Sequence, residues 1–410
     1  MTDNAAAGVV CPMPAAPRFP LEGDLYIEPD PLYARLRAEC PVYEVASKDG
    51  KRAWLVTRYD DAKKALVEPR FTRADTVDEQ TVQAAGVAGP AGRTALIYAD
   101  PPLLNQSRKL ISQYFNGQRV ESLRPRAEQI VDDLLDQMLD RGSPADVLAD
   151  LARPLPMRII CELLGIPSSE SESLRESVEL LMATDGKDMN AIRDAFVLVY
   201  GYLSRLIKER RSLPPTSDLI SDLIHSDQAD PPLTDGELVG FAMLLFVTGH
   251  ETTMTQIVNS CLLLLQEETQ LAKLRSNPAL LESGVEELLR FVPLGHAGLP
   301  FAVSEDMEFG DVQMSKGDLV FISKLSANRD ERAFHAAGTF DIARAPNKHI
   351  AFSHGPHYCL GAVLARMEMQ VAIGRLVARI PTLRLAVDVG DLGWRTESIQ
   401  RGPTSLPVAW

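Results

Sequence analysis

The stretch "HIAFSHGPHYCLGAVLAR", residues 349–366, places His349, His354 and His357, three of the chain's seven histidines, just ahead of a single cysteine, Cys359. Gly355 and Gly361 flank the thiol, and the apolar spacing from about Leu360 onward predicts a helix that starts beside the sulfur. As a zinc site, His354, His357 and Cys359 supply three ligands, but His-x-x-His-x-Cys is not a usual finger spacing and no fourth ligand follows nearby. A cysteine nucleophile needs a base and an open cleft, and the surrounding sequence argues for neither. A thiolate bound to a haem iron fits better. The helix start directs unpaired N–H groups and a positive dipole end toward the sulfur. The glycines leave room for a flat macrocycle against the backbone, and the lack of Cys-x-x-Cys-His means such a haem is held without covalent links.

The rest of the chain sets the context. Its 410 residues are 45% hydrophobic and can bury a large core, and the 28 prolines and 26 glycines are spread without forming a linker. No internal repeat interrupts the chain, so a single domain over residues 1–410 is expected, with 1–20 an irregular N-terminal segment. A net charge of −14, from 56 acidic and 42 basic residues, argues against a nucleic-acid partner. The five cysteines, at 11, 40, 161, 261 and 359, are odd in number and widely spaced, a poor disulfide framework that fits a reducing compartment. The N-terminus has no basic residue before Arg18 and no sustained apolar run, and the most apolar stretch, Val239 to Val247, is too short to span a bilayer. A soluble, cytoplasmic protein with no membrane association is expected.

Helical patterns dominate, as in "RAEQIVDDLLDQMLDR", "LADLARPLPMRIICELLG" and "NAIRDAFVLVYGYLSRLIKERR". "PVYEVASKDGKRAWLVT" reads as a hairpin turning at Asp49-Gly50, and "MEFGDVQMSKGDLVFIS" as another turning near Lys316-Gly317. The expected class is mostly α with a small β portion. Residues 72–98 read as a long irregular loop of the kind that often carries function.

One helix stands apart. Thr234 and Glu237 make a capping box, and the pattern then runs to about Gln266. Its first half, "LVGFAMLLFV", is apolar on all sides, which predicts a path through the protein's centre. Its middle, "TGHETT" at 248–253, is therefore costly unless partnered. Thr248 and Thr252 share a face with Leu245 and Gly249, and Gly249 removes bulk there. One reading is a bend with threonines bonded back to carbonyls one turn earlier. The other is a functional face on which Thr252 and Glu251 pass protons. Elsewhere, Glu287 and Arg290 in "VEELLR", with Arg344 in "FDIAR", are candidates for a buried charge network that holds geometry more than it adds stability.

Phe352, Gly355, His357, Cys359 and Gly361 match the Phe-x-x-Gly-x-His-x-Cys-x-Gly haem loop, and on them the chain resembles the cytochrome P450 superfamily in its bacterial, soluble, actinobacterial form. Glu287 and Arg290 match that family's Glu-x-x-Arg, Gly249 to Thr253 its oxygen-activating helix centre, and "ANRDERAF" with Phe340 to Arg344 the stretch before the haem loop. The resemblance covers nearly the whole chain. It implies the family's fold, with a long central helix over haem b, and a monooxygenase that uses O2 and two electrons from a ferredoxin and ferredoxin reductase. Cys359 would be the axial iron ligand, Thr252 and Glu251 the proton-delivering pair, and His357 and Arg108 partners of the haem propionates.

Some positions depart from the family. Where relatives usually carry "DPPEHTRLR" this chain has "DPPLLNQSR", so Leu104 replaces a propionate-binding histidine, and Phe301 stands where an arginine is usual. The haem edge is expected to be less cationic, with retention leaning on Arg108 and His357. Leu245, Thr248, Val292, Leu294, His296 and Ile399 are expected to line the substrate pocket, with His296 meeting either a polar substrate group or solvent, and His250 pointing away from the haem. The implied substrate is a medium-sized, largely apolar natural product of secondary metabolism. Oxidative coupling or ring closure without net oxygen insertion is the alternative, and a haem-binding sensor or carrier is disfavoured by the Glu251-Thr252 pair. An electron donor is expected near Arg108, Lys109 and Arg366.

Overall fold

The computed structural model describes residues 16–21, 28–76, 96–181, 188–226, 232–292, 294–295, 297–395 and 400–410. The helices of this part are α1 Leu32–Glu39, α2 Tyr59–Ala65, α3 Leu103–Ile111, α4 Gly117–Arg141, α5 Pro154–Leu164, α6 Ser168–Leu181, α7 Met189–Arg211, α8 Leu219–Ile224, α9 Asp235–Gln266, α10 Glu268–Ser276, α11 Leu281–Phe291, α12 Lys324–Ala327 and α13 Ala362–Arg379. The expected capping box opens α9: the Glu237 N–H donates to Thr234 Oγ1 at 3.2 Å, and the Thr234 N–H donates to the Glu237 carboxylate at 2.9 Å. Because α9 is apolar almost all round, it can pack on every side, and α5, α6, α7 and α13 surround it. The stretch "LADLARPLPMRIICELLG" is not one helix. A wide turn at Leu148–Ala152 precedes α5, whose Pro154 sits where a helix start tolerates a missing N–H.

The strands are β1 Val42–Ala46, β2 Arg52–Val56, β3 Phe71–Thr72, β4 Ala145–Asp146, β5 Phe301–Val303, β6 Met307–Phe309, β7 Val312–Met314, β8 Leu319–Ile322, β9 Arg384–Leu385 and β10 Pro407–Ala409. They form a five-stranded sheet of order β1-β2-β8-β5-β3, a three-stranded sheet of order β4-β10-β9, and the pair β6-β7. The β2–β8 pairing is parallel and the other ladders are antiparallel. The hairpin at Asp49-Gly50 forms as expected, with Gly50 at φ +79°. The second hairpin turns elsewhere than expected. Phe309 pairs with Val312, so the reversal is at Gly310-Asp311, with Gly310 at φ +61°. The Lys316-Gly317 turn instead delivers the chain into β8 of the larger sheet, its Gly317 N–H donating to the Val303 carbonyl at 2.8 Å. Both dipeptides permit a turn, and cross-strand register decides which one makes the hairpin.

The main core is helical and centred on α9, and two smaller clusters flank the five-stranded sheet. Within the 72–98 loop, a short helical turn spans Ala74–Thr76 and residues 77–95 lie outside the described part. Cys40 is disulfide-bonded, contrary to the expectation from cysteine spacing, while Cys161, Cys261 and Cys359 are free thiols. Among the described residues no helix is long and apolar enough to cross a membrane.

Candidate active site

The cysteine loop closes on itself: the Cys359 N–H donates to the Phe352 carbonyl at 2.8 Å. Ser353 and Gly355 both sit at φ +71° to make the reversal. Gly355 does not serve to admit a macrocycle. A Cβ there would stand 2.5 Å from Val67 Cγ1 and 3.1 Å from the Leu66 carbonyl oxygen, so the glycine lets the loop pack against the end of α2. Gly361 does face open space, with no heavy atom within 4 Å of a Cβ built on it. It is also the cap of α13, and its N–H bonds the Cys359 sulfur.

Burial pushes the Cys359 thiol up, while the Gly361 N–H, Lys324, Arg108 and Arg366 pull it down. Cys359 carries accessible surface although protein atoms surround it on most sides. Cys161 and Cys261, by contrast, are packed away, their thiols pushed up to about 12 by burial. Phe352 lies under the Arg366 guanidinium at 4.5 Å. Arg366 in turn grips Glu286 with two bonds of 2.6 and 2.9 Å, and His349 Nε2 meets the same carboxylate at 3.1 Å. Burial acts to raise the Glu286 carboxyl, but these two partners outweigh it and hold it at about 2. Among the described residues, no three His, Cys, Asp or Glu side chains are grouped to hold a metal ion.

Basic groups gather near this thiol. Arg108, on α3, is half-buried, lowered in pKa by desolvation and raised by Cys359, and makes no hydrogen bond or ion pair among the described residues. Leu104, one turn earlier, points into the helical core and is fully buried. His357 meets the Phe301 ring edge-on at 5.9 Å. Burial and the positive charge of Arg73 push its pKa down to about 4. The sequence offered no sign of Arg73 or Lys324. Arg73 lies on the Phe301 ring at 3.8 Å. Lys324 is deep in the protein, lowered by burial and by Arg73 and raised by Cys359. The surroundings of the thiol are thus richer in basic groups than the substitutions at 104 and 301 suggested.

On α9 the threonines bond back along the helix: Thr248 Oγ1 donates to the Leu244 carbonyl and Thr252 Oγ1 to the Thr248 carbonyl, each at 2.7 Å. Accessible surface along the helix centre is confined to Leu244, Val247, Thr248, Gly249 and Thr252, a stripe at three- and four-residue spacing. Leu245 lies off that stripe, packed in the core at 7% exposure, and Val292 is likewise core. A Cβ at Gly249 would stand 3.1 Å from Ile160 Cδ1, so on that side the glycine lets α5 pack close against α9. The space is taken by helix packing. His250 turns to the Arg153 carbonyl at 3.2 Å. Glu251 is held by Arg395, Nη1 to Oε1 at 2.5 Å, and Arg395 also donates to Thr255 Oγ1 at 2.8 Å. Leu294 is partly exposed, while His296 and Ile399 lie outside the described residues.

The expected charge network forms in full. The Glu287 carboxylate accepts from Arg290 twice at 2.7 Å, from Arg344 Nε at 3.1 Å, from the Asp341 N–H at 3.0 Å and from Asn347 at 3.0 Å. Glu287 and Arg290 side chains are wholly buried. Arg290 also donates to the Asn328 and Ala337 carbonyls at 2.8 Å, and Asn328 Oδ1 receives the Ile350 N–H at 2.8 Å, which ties the network to the cysteine loop.

An accessible thiol, cations without anionic partners among the described residues and a glycine opening on free space suit a flat, thiolate-ligated group bearing carboxylates. Fold and site together define a haem-thiolate oxygenase. The cytochrome P450 family model matches residues 173–380. The chain is 42% identical over 395 residues to nocardicin C N-oxygenase of Nocardia uniformis subsp. tsuyamanensis, covering 96% of this chain and 98% of that one. It is 39% identical over 381 residues to the mycinamicin IV hydroxylase/epoxidase of Micromonospora griseorubida, covering 92% and 94%. The LnmA cytochrome P450 hydroxylase from the leinamycin biosynthetic pathway of Streptomyces atroolivaceus S-140 superposes with a TM-score of 0.88 at 39% identity, covering 96% of this chain and 100% of that one. The chain belongs to the cytochrome P450 family and is a monooxygenase whose cofactor is a cysteine-ligated haem.

Proposed function

We propose that this enzyme oxidises a medium-sized, largely apolar natural product of bacterial secondary metabolism, as a cytoplasmic protein of one domain that draws its two electrons from a ferredoxin-type donor. The observation that carries the proposal is the accessible free thiol of Cys359 in a chain whose central helix bears Glu251 and Thr252. The relatives support the substrate class: by their names they oxidise nocardicin C and mycinamicin IV. The accessible stripe of α9 supports the apolar character, being Leu244, Val247 and Gly249 with two threonines that already donate to carbonyls.

When bound, haem supplies the O2 chemistry and the electron-accepting iron. Cys359 would ligate the iron as a thiolate, with the Gly361 N–H and the nearby cations favouring the negative sulfur. Arg108 and His357 would face the haem carboxylates. The Thr252 hydroxyl hydrogen is committed to the Thr248 carbonyl, so its oxygen is free to accept a hydrogen bond from a protonated species. Arg395 holds Glu251 through Oε1, and a proton passing through this carboxylate would use its second oxygen or follow release of Arg395.

The reduced carbon monoxide complex tests the thiolate. A strongly red-shifted Soret band in the parent, lost in Cys359→His, is expected; a histidine-type spectrum from the parent would overturn the assignment. Candidate metabolites that shift the resting spectrum, turned over with a ferredoxin system, should gain one oxygen by mass. Loss of two hydrogens instead would establish coupling or ring closure.

A further inference from the structure

The chain lacks two of the cations its family usually turns toward the haem carboxylates, yet it holds a largely covered one, Arg73, that belongs to no ion pair among the described residues. β3 and β5 run antiparallel, with Phe71 opposite Val303 and Thr72 opposite Ala302. The next step of that register sets Arg73 across from Phe301, and its guanidinium carbon lies over the Phe301 ring, 3.8 Å from the centroid. The backbone is fixed in place by Asp100, whose carboxylate accepts the Arg73 N–H at 2.9 Å and the Ala74 N–H at 3.0 Å. Arg73 Nη1 donates to the Pro300 carbonyl at 3.1 Å, while the buried Nε has no hydrogen-bond partner. Burial lowers the guanidinium to about 10, with only Asp100 and Tyr98 acting to raise it. His357 feels the charge of Arg73 and of Arg108, and Lys324 feels that of Arg73 and of Cys359, so the three cations Arg73, Arg108 and Lys324 neighbour one another around an uncharged His357.

Among the described residues this partly buried positive charge faces a single carboxylate, already engaged by backbone N–H groups, which favours a bound anion here. The geometry points to Arg73 as a haem-carboxylate anchor of this enzyme, standing on the neighbouring strand in the place that the side chain at 301 has vacated. It rests on the haem-thiolate reading above and adds a residue of this chain to it.

The test is the rate of haem transfer from the purified holoenzyme to an excess of apo-globin. Arg73→Gln should release haem about tenfold or more faster, the worth of one charge-assisted hydrogen bond. Lys109→Gln, which removes an exposed charge one residue past Arg108, should release at the parent rate. Adding Phe301→Arg to Arg73→Gln should slow release again. When apo-protein is loaded with haem whose carboxylates are methyl esters, parent and Arg73→Gln should release alike. Parental release from Arg73→Gln would overturn the proposal. So would an excess that persists with the esterified haem, since the loss would then lie in packing, or an equal effect of Lys109→Gln. The carbon monoxide spectrum of the parent reports separately on the thiolate.

Discussion

At the scale of single residues, Thr252 carries the sharpest expectation. Its hydroxyl donates to the carbonyl one turn back, a bond that contributes little to a helix and slightly bends it. Thr252→Ala should therefore keep haem and shift folding stability by no more than about 0.5 kcal/mol. It should still divert electrons from product to hydrogen peroxide, read as peroxide formed per reductant consumed. Unchanged coupling would remove Thr252 from proton delivery. Residues of this kind were legible because their chemistry is local: Cys359 precedes a helix start, and Glu251 adjoins Thr252 in a buried helix. The glycines were not. A missing side chain in a sequence does not say what fills the space, and at 249 and 355 the answer is Ile160 and Val67. Arg73 was invisible for a related reason, since its partner is set by strand register across more than two hundred residues.

At the scale of elements, the Glu287 network joins α11 to the segment that leads into the cysteine loop. Glu287→Gln keeps the shape but leaves Arg290 and Arg344 buried without their counter-charge. A loss of about 3–5 kcal/mol is expected, measured by denaturant unfolding, together with poor haem incorporation. A loss under about 1 kcal/mol would mean that the carbonyl oxygens around the two arginines suffice. The Glu-x-x-Arg spacing announced this pair, and the capping box at Thr234 announced the start of α9. The turn of the second hairpin was less legible, because Gly310-Asp311 and Lys316-Gly317 both satisfy local turn chemistry and only pairing between strands separates them.

At the scale of the whole molecule, the charge of −14 sets how an acidic donor approaches. Of the three basic residues expected to greet it, Arg366 is paired with Glu286 and Arg108 is half-buried near Cys359, which leaves Lys109 exposed. Long-range repulsion then dominates at low salt, where charges reach about 30 Å, and it fades once the screening length falls to about 10 Å. The second-order rate with an acidic ferredoxin should rise between these conditions and fall at higher salt, where contact pairs are screened in turn. A rate that only falls with salt would restore the simple attractive patch. Composition and periodicity foretold the mostly helical architecture. They misjudged Cys40, whose disulfide depends on chain geometry that spacing alone does not reveal.

The bond between Glu251 and Arg395 spans 144 positions of sequence. Arg395 is itself fixed to the chain's last stretch, its N–H donating to the Gly402 carbonyl at 2.9 Å. The carboxylate on α9 therefore has a tether anchored near the opposite end of the polypeptide. If Glu251 delivers protons as proposed, changes at Arg395 or Gly402 would retune that supply without altering one residue of the helix. Swapping the C-terminal segment between two such enzymes would transplant part of the catalytic temperament of the donor along with whatever the swap was meant to change.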